Sequence, residues 1–182
     1  MSFPAFLDTC VLVPGYLNDT LLRLASAEIY RPLWSADVLE ELHRNLARMT
    51  STAQADHRLR NMRQHFTDAE VTGYESLLPS MTNDADDRHV LAAAVRGNAA
   101  VIVTANLRHF PEHALKPYEI EAVHPDEFLL DQLDLHPARV MASLNRQVSA
   151  YTREPTTIAG LMNRLERTGL PKFAAEVPRH QR

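Results

Sequence analysis

One cysteine, Cys10, is all that the 182 residues offer. An intramolecular disulfide and a multi-cysteine zinc site are therefore excluded, and such usage fits a reducing compartment. Glycine is scarce too, at five residues. None of the five builds a GxGxxG or a P-loop, so dinucleotide-binding and nucleotide-hydrolysing readings lack their phosphate cradle. No apolar run approaches the roughly 18 residues of a membrane span. The start, "MSFPAFLDTC", has neither a basic region nor the long apolar core of a signal peptide. Together these absences predict a cytoplasmic protein with no membrane partner. Histidine is more plentiful, at nine residues, but HExxH is missing. His109 and His113 stand four apart with Pro111 between them, which argues against one helix presenting both, so a zinc enzyme is not expected.

What is present is ordinary in bulk, with 45% apolar and 23% charged residues. The length suits one domain with an appendage and a proper core. A net charge of −4 hides an asymmetry. Residues 136–182 carry eight Lys/Arg against three acids, whereas residues 1–135 carry 11 against 20. The total argues against a simple polyanion binder, although local arginines leave nucleic acid open.

Four short apolar segments read as strands: 4–8 ("PAFLD"), 30–34 ("YRPLW"), 99–103 ("AAVIV") and 119–123 ("EIEAV"). Helical periodicity predicts helices over 14–29, 35–49, 51–65, 67–78 and 87–97. In 35–49, Ser35 is the cap and Leu39, Leu42, Leu46 and Met49 form one stripe. In 67–78, Thr67 and Glu70 spell a capping box. From Pro125 onward the pattern is wholly helical, over 125–135, 137–151 and 155–170, each beginning at a proline. Alternating strands and helices imply a mainly parallel sheet with helices on both faces, a three-layer α/β/α sandwich. Residues 1–135 form its domain and 136–182 a helical extension. Val140, Leu144 and Val148 on that extension pack on the parent domain, on a second copy or on a partner.

In a parallel sheet, ligands gather beyond the carboxyl ends of the strands. Asp8 follows the first strand, and Thr104 to Asn106 follow the strand at 99–103. Asp84, Asp86 and Asp87 crowd the start of the helix expected over 87–97. Magnesium and manganese take hard oxygen ligands, usually one or two carboxylates with water completing the shell. Acids remote in sequence and close in space would supply them. The plainer reading is an Asx turn at Asp8 and helix capping at 84–87, worth about 0.5–2 kcal/mol per cap. One cap explains one aspartate; three in four positions is more negative charge than capping needs.

Four motifs in order, "FLDTCVLV", "WSADVLEELHRNL", "DADDRHVLAAAV" and "VIVTANLRHFP", resemble the PIN domain, in the branch of VapC-type bacterial toxins. The resemblance covers residues 3–111. It implies a magnesium- or manganese-dependent endoribonuclease that hydrolyses RNA phosphodiesters in line, leaving 5′-phosphate and 3′-hydroxyl ends. By the same resemblance Asp8, Glu41 and Asp87 are the catalytic, metal-holding acids. Asp84 matches an extra acid of this branch, and Thr9 and Thr104 lie beside the ligands. The family's fourth acid falls on Asn106, a neutral ligand, and this departure bears on whether a second ion binds. Arg44, Arg48, Arg88 and Arg108 flank the motifs as RNA-contact candidates. The toxin branch implies a cognate antitoxin as partner and allows a homodimer. The rival reading is a catalytically weak or inactive PIN module that binds RNA or a protein, with Asn106 as its mark. A phosphatase of the haloacid dehalogenase type would need a second aspartate at position 10, which is Cys10.

Overall fold

The computed structural model describes residues 2–181, which leaves Arg182 of the basic tail outside. Its sheet has five strands, all parallel: β1 (Pro4–Leu7), β2 (Arg31–Ser35), β3 (Glu70–Val71), β4 (Val101–Val103) and β5 (Glu121–Val123). They run in the order β3-β2-β1-β4-β5. Ala5, Phe6 and Leu7 of the central strand are wholly buried, as a parallel strand covered on both faces must be. The chain first winds from β1 to one side and then crosses to β4 on the other. The carboxyl ends of β1 and β4 therefore border the crevice where the winding reverses.

The first half carries α1 (Thr9–Leu12), α2 (Gly15–Ser26), α3 (Ala36–Met49) and α4 (Thr52–His65). Ser35 caps α3 by accepting from Val38 N at 3.2 Å, and Ser51 caps α4 through Gln54 N at 3.2 Å. Val38, Leu39, Leu42 and Leu46 make the buried stripe of α3. Met49 falls off that stripe, 67% exposed in the last turn. The second half carries α5 (Arg88–Arg96) and α6 (Glu112–Leu115). The helix expected over 67–78 does not form. Residues 70–71 instead become β3, paired through Trp34↔Glu70 and Ser35↔Val71. Trp34 N donates to Ala69 O at 3.0 Å, Ala69 and Val71 are buried, and Gly73 turns the chain at φ +74. Pairing with β2 and an apolar contact outweigh the local capping signal.

Four helices close the chain: α7 (Pro125–Leu135), α8 (Pro137–Ala150), α9 (Ile158–Arg167) and α10 (Pro171–Glu176). Pro125, Pro137 and Pro171 occupy first turns, whereas α9 starts three residues beyond Pro155, capped by Thr157. Phe128 anchors α7 to the sheet domain, edge-on to Tyr30 with centroids 5.0 Å apart. Val140 and Leu144 are wholly buried and Val148 nearly so, which removes them as an exposed dimer or antitoxin surface. A polar seam joins α8 to α2. Thr20 Oγ1 donates to Gln147 Oε1 at 2.9 Å, and Gln147 Nε2 donates to Tyr151 Oη at 2.9 Å. Tyr151 in turn donates to Asp19 Oδ2 at 2.7 Å. The end of the chain is fastened by Asp126 of α7, itself buried. Its carboxylate accepts from Phe173 N at 2.8 Å and Lys172 N at 3.0 Å, capping α10 from 47 and 46 residues away in sequence. Among the described residues no helix is long and apolar enough to cross a membrane.

Candidate metal centre

Register alone brings the first two groups together. Leu7 pairs with Val103, so the next residues out, Asp8 and Thr104, leave neighbouring strands side by side. Asp8 N donates to Val103 O at 3.1 Å, and Thr104 Oγ1 donates to Asp8 Oδ2 at 2.8 Å. The other oxygen, Oδ1, accepts from Thr9 N at 2.7 Å, capping α1. Thr104 also accepts from Asn106 N at 3.0 Å. That contact sets the chain's direction after β4, and the Asn106 side chain itself is exposed.

Asp8 is 3% exposed. Burial raises its pKa above the ordinary carboxylate value, the Thr104 donor pulls it back, and the charge of Asp87 raises it again. The repulsion from Asp87 shows that the acid at the end of β1 and the acid before α5 share one field. Glu41 joins through Thr9, whose Oγ1 donates to Glu41 Oε2 at 3.1 Å. Three remote segments thus bring oxygen donors to one end of the sheet.

The aspartate cluster divides its labour. Asp84 does cap: its Oδ1 accepts from Asp86 N at 3.1 Å in the 3₁₀ turn 85–87. Asp86 is exposed. Asp87 caps nothing with its side chain. Its Oδ2 lies 2.6 Å from Nδ1 of His109, and ligand atoms of Asp84, Asp87 and His109 all fall within 4.8 Å of one another. The turn is pinned from both sides, by Asp84 N donating to His109 O at 3.1 Å and by Asn83 Nδ2 donating to Asp87 O at 2.9 Å. Asn83 is 3% exposed, and its Oδ1 is buried with no hydrogen-bond partner among the described residues.

Sequence reasoning missed three contributors. His109 was weighed only as half of a zinc pair; its position three residues past Asn106, at the mouth of β4, was the available signal. The hydrogen bond to Asp87 holds its imidazole above the ordinary pKa. Cys10 is a support: its thiol donates to Asp8 Oδ2 at 3.4 Å and its sulfur accepts from Ala105 N at 3.3 Å. Burial, and then the charge of Asp8, push that thiol up to about 12, so it stays protonated and is no nucleophile. Asn83 had no signal beyond its place beside Asp84.

The arginines are less gathered. Arg44 and Arg48 are exposed on α3, and Arg44 lies 3.4 Å from Glu40. Arg88 Nε donates to Asn83 O at 3.3 Å and so helps hold the aspartate turn. Arg108 is exposed, and its charge opposes the protonation of His109. A cleft of about 730 Å³ lies elsewhere, between α2 and α4, lined by Asn18, Asp19, His57 and Arg58. It includes none of Asp8, Glu41, Asp84 and Asp87.

Asp84, Asp87 and His109 are donors of the kind a hard or borderline divalent ion takes. Asp8 and Glu41 stand outside that close group, and no side-chain contact among the described residues brings the Asn106 carboxamide into it.

Comparisons with known proteins match two stretches of the chain, and the second begins at α7, inside the 1–135 unit expected from the sequence. The family model described as PIN domain matches residues 4–108, and the one described as VapC50 C-terminal domain matches residues 125–179. A protein of Mycobacterium tuberculosis (strain ATCC 25618 / H37Rv), named "Putative ribonuclease VapC50", is 51% identical over 113 residues. That alignment spans 62% of this chain and 66% of the relative, just short of two thirds of its length. No solved structure matches the chain.

Proposed function

This chain belongs to the PIN-domain family, and on that premise we propose that it is a divalent-metal-dependent endoribonuclease of the VapC type, the toxin of a toxin–antitoxin pair. One observation carries the reading. Thr9 bonds both Asp8 and Glu41 at the carboxyl end of a parallel sheet, and the charge of Asp87 reaches Asp8, which supports the three acids acting as one site.

In this reading Asp8, Glu41 and Asp87 hold Mg²⁺ or Mn²⁺, with Asn106 as a neutral oxygen donor and Asp84 beside them. When bound, such an ion supplies positive charge to a phosphodiester under attack and lowers the pKa of water at the site. The chain's own groups prepare for it. Thr104 and Cys10 fix one oxygen of Asp8, Thr9 N fixes the other, and Thr9 Oγ1 orients Glu41. The acids repel a polyanion, so Arg44, Arg48, Arg88 and Arg108 serve to guide phosphates toward the ion. The same acids would attract a cationic side chain from an antitoxin. Residues 1–135 carry this machinery and 136–182 form the extension, in a cytoplasmic protein that also allows a homodimer.

The test is RNA cleavage titrated with Mg²⁺ and Mn²⁺ by the full chain and by Asp8→Ala. The wild type should cleave only with metal, and the variant should lose cleavage while keeping its melting profile. Equal cleavage by both would refute the assignment. Absence of cleavage in the wild type, with RNA still bound, would favour an inactive PIN module instead.

A further inference from the structure

The family resemblance leads one to expect oxygen donors alone, with Asn106 in the place of the fourth acid. The geometry points to a different completion of the site: we propose that His109 is a nitrogen ligand which, with Asp84 and Asp87, tunes the centre toward first-row divalent ions such as Mn²⁺ and Co²⁺ and away from Mg²⁺. The proposal rests on the reading of this cleft as a dication site and deepens it.

Three observations support it. An octahedral ion with donors about 2.1 Å away places neighbouring donors about 3 Å apart and opposite ones about 4.2 Å apart. Ligand atoms of Asp84, Asp87 and His109 span no more than 4.8 Å, so a small inward shift brings all three within reach of one ion. The ion takes the place of the proton between His109 Nδ1 and Asp87 Oδ2, and that proton leaves to solvent. The imidazole is also held in place by more than its own contact. Asp84 N donates to His109 O at 3.1 Å, tying the 3₁₀ turn 107–109 to the turn 85–87 on which both aspartates ride. Finally, Asn83 Oδ1 is buried and unpartnered beside Asp84 while its Nδ2 donates to Asp87 O. The Asn83 carboxamide thus holds the turn through its Nδ2 and has an acceptor to spare beside the two aspartates.

The chemistry follows from the donor type. Magnesium prefers an all-oxygen shell and dehydrates reluctantly, whereas imidazole is a good ligand for the later first-row ions, with affinity rising from Mn²⁺ to Co²⁺. A single imidazole among carboxylates therefore shifts preference without excluding magnesium. Asn106 costs the site one negative charge relative to an aspartate, and His109 restores a donor without restoring that charge.

The experiment uses the chelator-treated full chain. Mn²⁺ binding is followed by electron paramagnetic resonance, with Mg²⁺ as competitor, and pulsed measurements read ¹⁴N coupling to the bound ion. We expect ¹⁴N coupling in the wild type, lost in His109→Asn together with about tenfold in Mn²⁺ affinity, while Mg²⁺ affinity changes about twofold or less. His109→Asp should move the preference back toward Mg²⁺. Bound Mn²⁺ with no ¹⁴N coupling, coupling that persists in His109→Asn, or tighter Mn²⁺ binding once the imidazole is gone would each overturn the proposal, as would no Mn²⁺ binding at all. RNA cleavage is scored separately. Its absence beside an intact ¹⁴N signal would count against the nuclease reading and leave this one standing.

Discussion

Replacing Thr104 by valine keeps the branched shape at the end of β4 and removes one hydroxyl. That hydroxyl donates to Asp8 Oδ2 at 2.8 Å and accepts from Asn106 N at 3.0 Å. Asn106 is exposed, so water replaces its lost acceptor at little cost. Asp8 has no such recourse at 3% exposure, keeping only Thr9 N at 2.7 Å and the weaker Cys10 thiol at 3.4 Å. A hydrogen bond to a buried charge is worth about 1.5–3 kcal/mol, and one between neutral groups about 0.5–1.5 kcal/mol. The metal-free variant should therefore lose about 2 kcal/mol near neutral pH, or roughly 4–8 °C in melting temperature for a chain of this size. Asp8 is raised in the folded state, so the fold binds its proton more tightly than the unfolded chain does. Its contribution is greatest below the unfolded carboxylate pKa and is lost as pH rises through the folded value. Below that value the carboxyl is neutral, and the penalty of the substitution should shrink to about 1 kcal/mol. Urea unfolding in chelator, at neutral pH and at about pH 4, measures both. A penalty that is equal at the two pH values, or larger in acid, would refute the argument. Thr104→Ser should restore the neutral-pH stability.

Other perturbations separate the site from its scaffold. Asp126→Ala leaves one buried and one part-buried N–H group of α10 without its acceptor; we expect a loss of about 2 kcal/mol by urea unfolding, with metal affinity unchanged. Gln147→Leu strips Thr20 and Tyr151 of a partner in the seam and should cost about 1–3 kcal/mol, again leaving cleavage per folded molecule as it was. Arg44→Ala should weaken RNA binding most at low salt and reduce the salt slope by about one; a loss independent of salt would remove its guiding role. Cys10→Ser should leave cleavage within about twofold, because a thiol held protonated acts only as a donor to Asp8, and iodoacetamide should react with the wild type slowly at neutral pH.

Much of this was legible in the chain because local and tertiary signals agree there. Phe6 and Leu7, Leu33 and Trp34, and Ile102 and Val103 are apolar runs that sit in the sheet, and the helices between them begin at recognisable caps such as Ser35 and Ser51. The strand at 70–71 was illegible. Two residues carry no periodicity, and the Thr67 to Glu70 spacing imitates a helix start; only the contact with Trp34 and Ser35 decides the outcome. Within the site, strand exits could be read as a location but not as a distance. The pairing of Leu7 with Val103 is what brings Thr104 to Asp8, and register is invisible in a single sequence. The contact of His109 with Asp87 was hidden for the same reason, since two turns 22 residues apart are stitched by a backbone bond.

The seam between α2 and α8 has a consequence for how the two parts of the chain meet. Oily surfaces slide over one another at little penalty, but donors and acceptors fit in one alignment only. Thr20, Gln147, Tyr151 and Asp19 thus act as a key for the last helices, rejecting a neighbouring turn that leucines alone would tolerate. Cutting the chain before residue 137 would leave the Thr20 hydroxyl its carbonyl partner on Tyr16. It would also uncover the apolar face of α2 that α8 packs against, so a shortened protein would carry an oily surface where the full chain carries a joint.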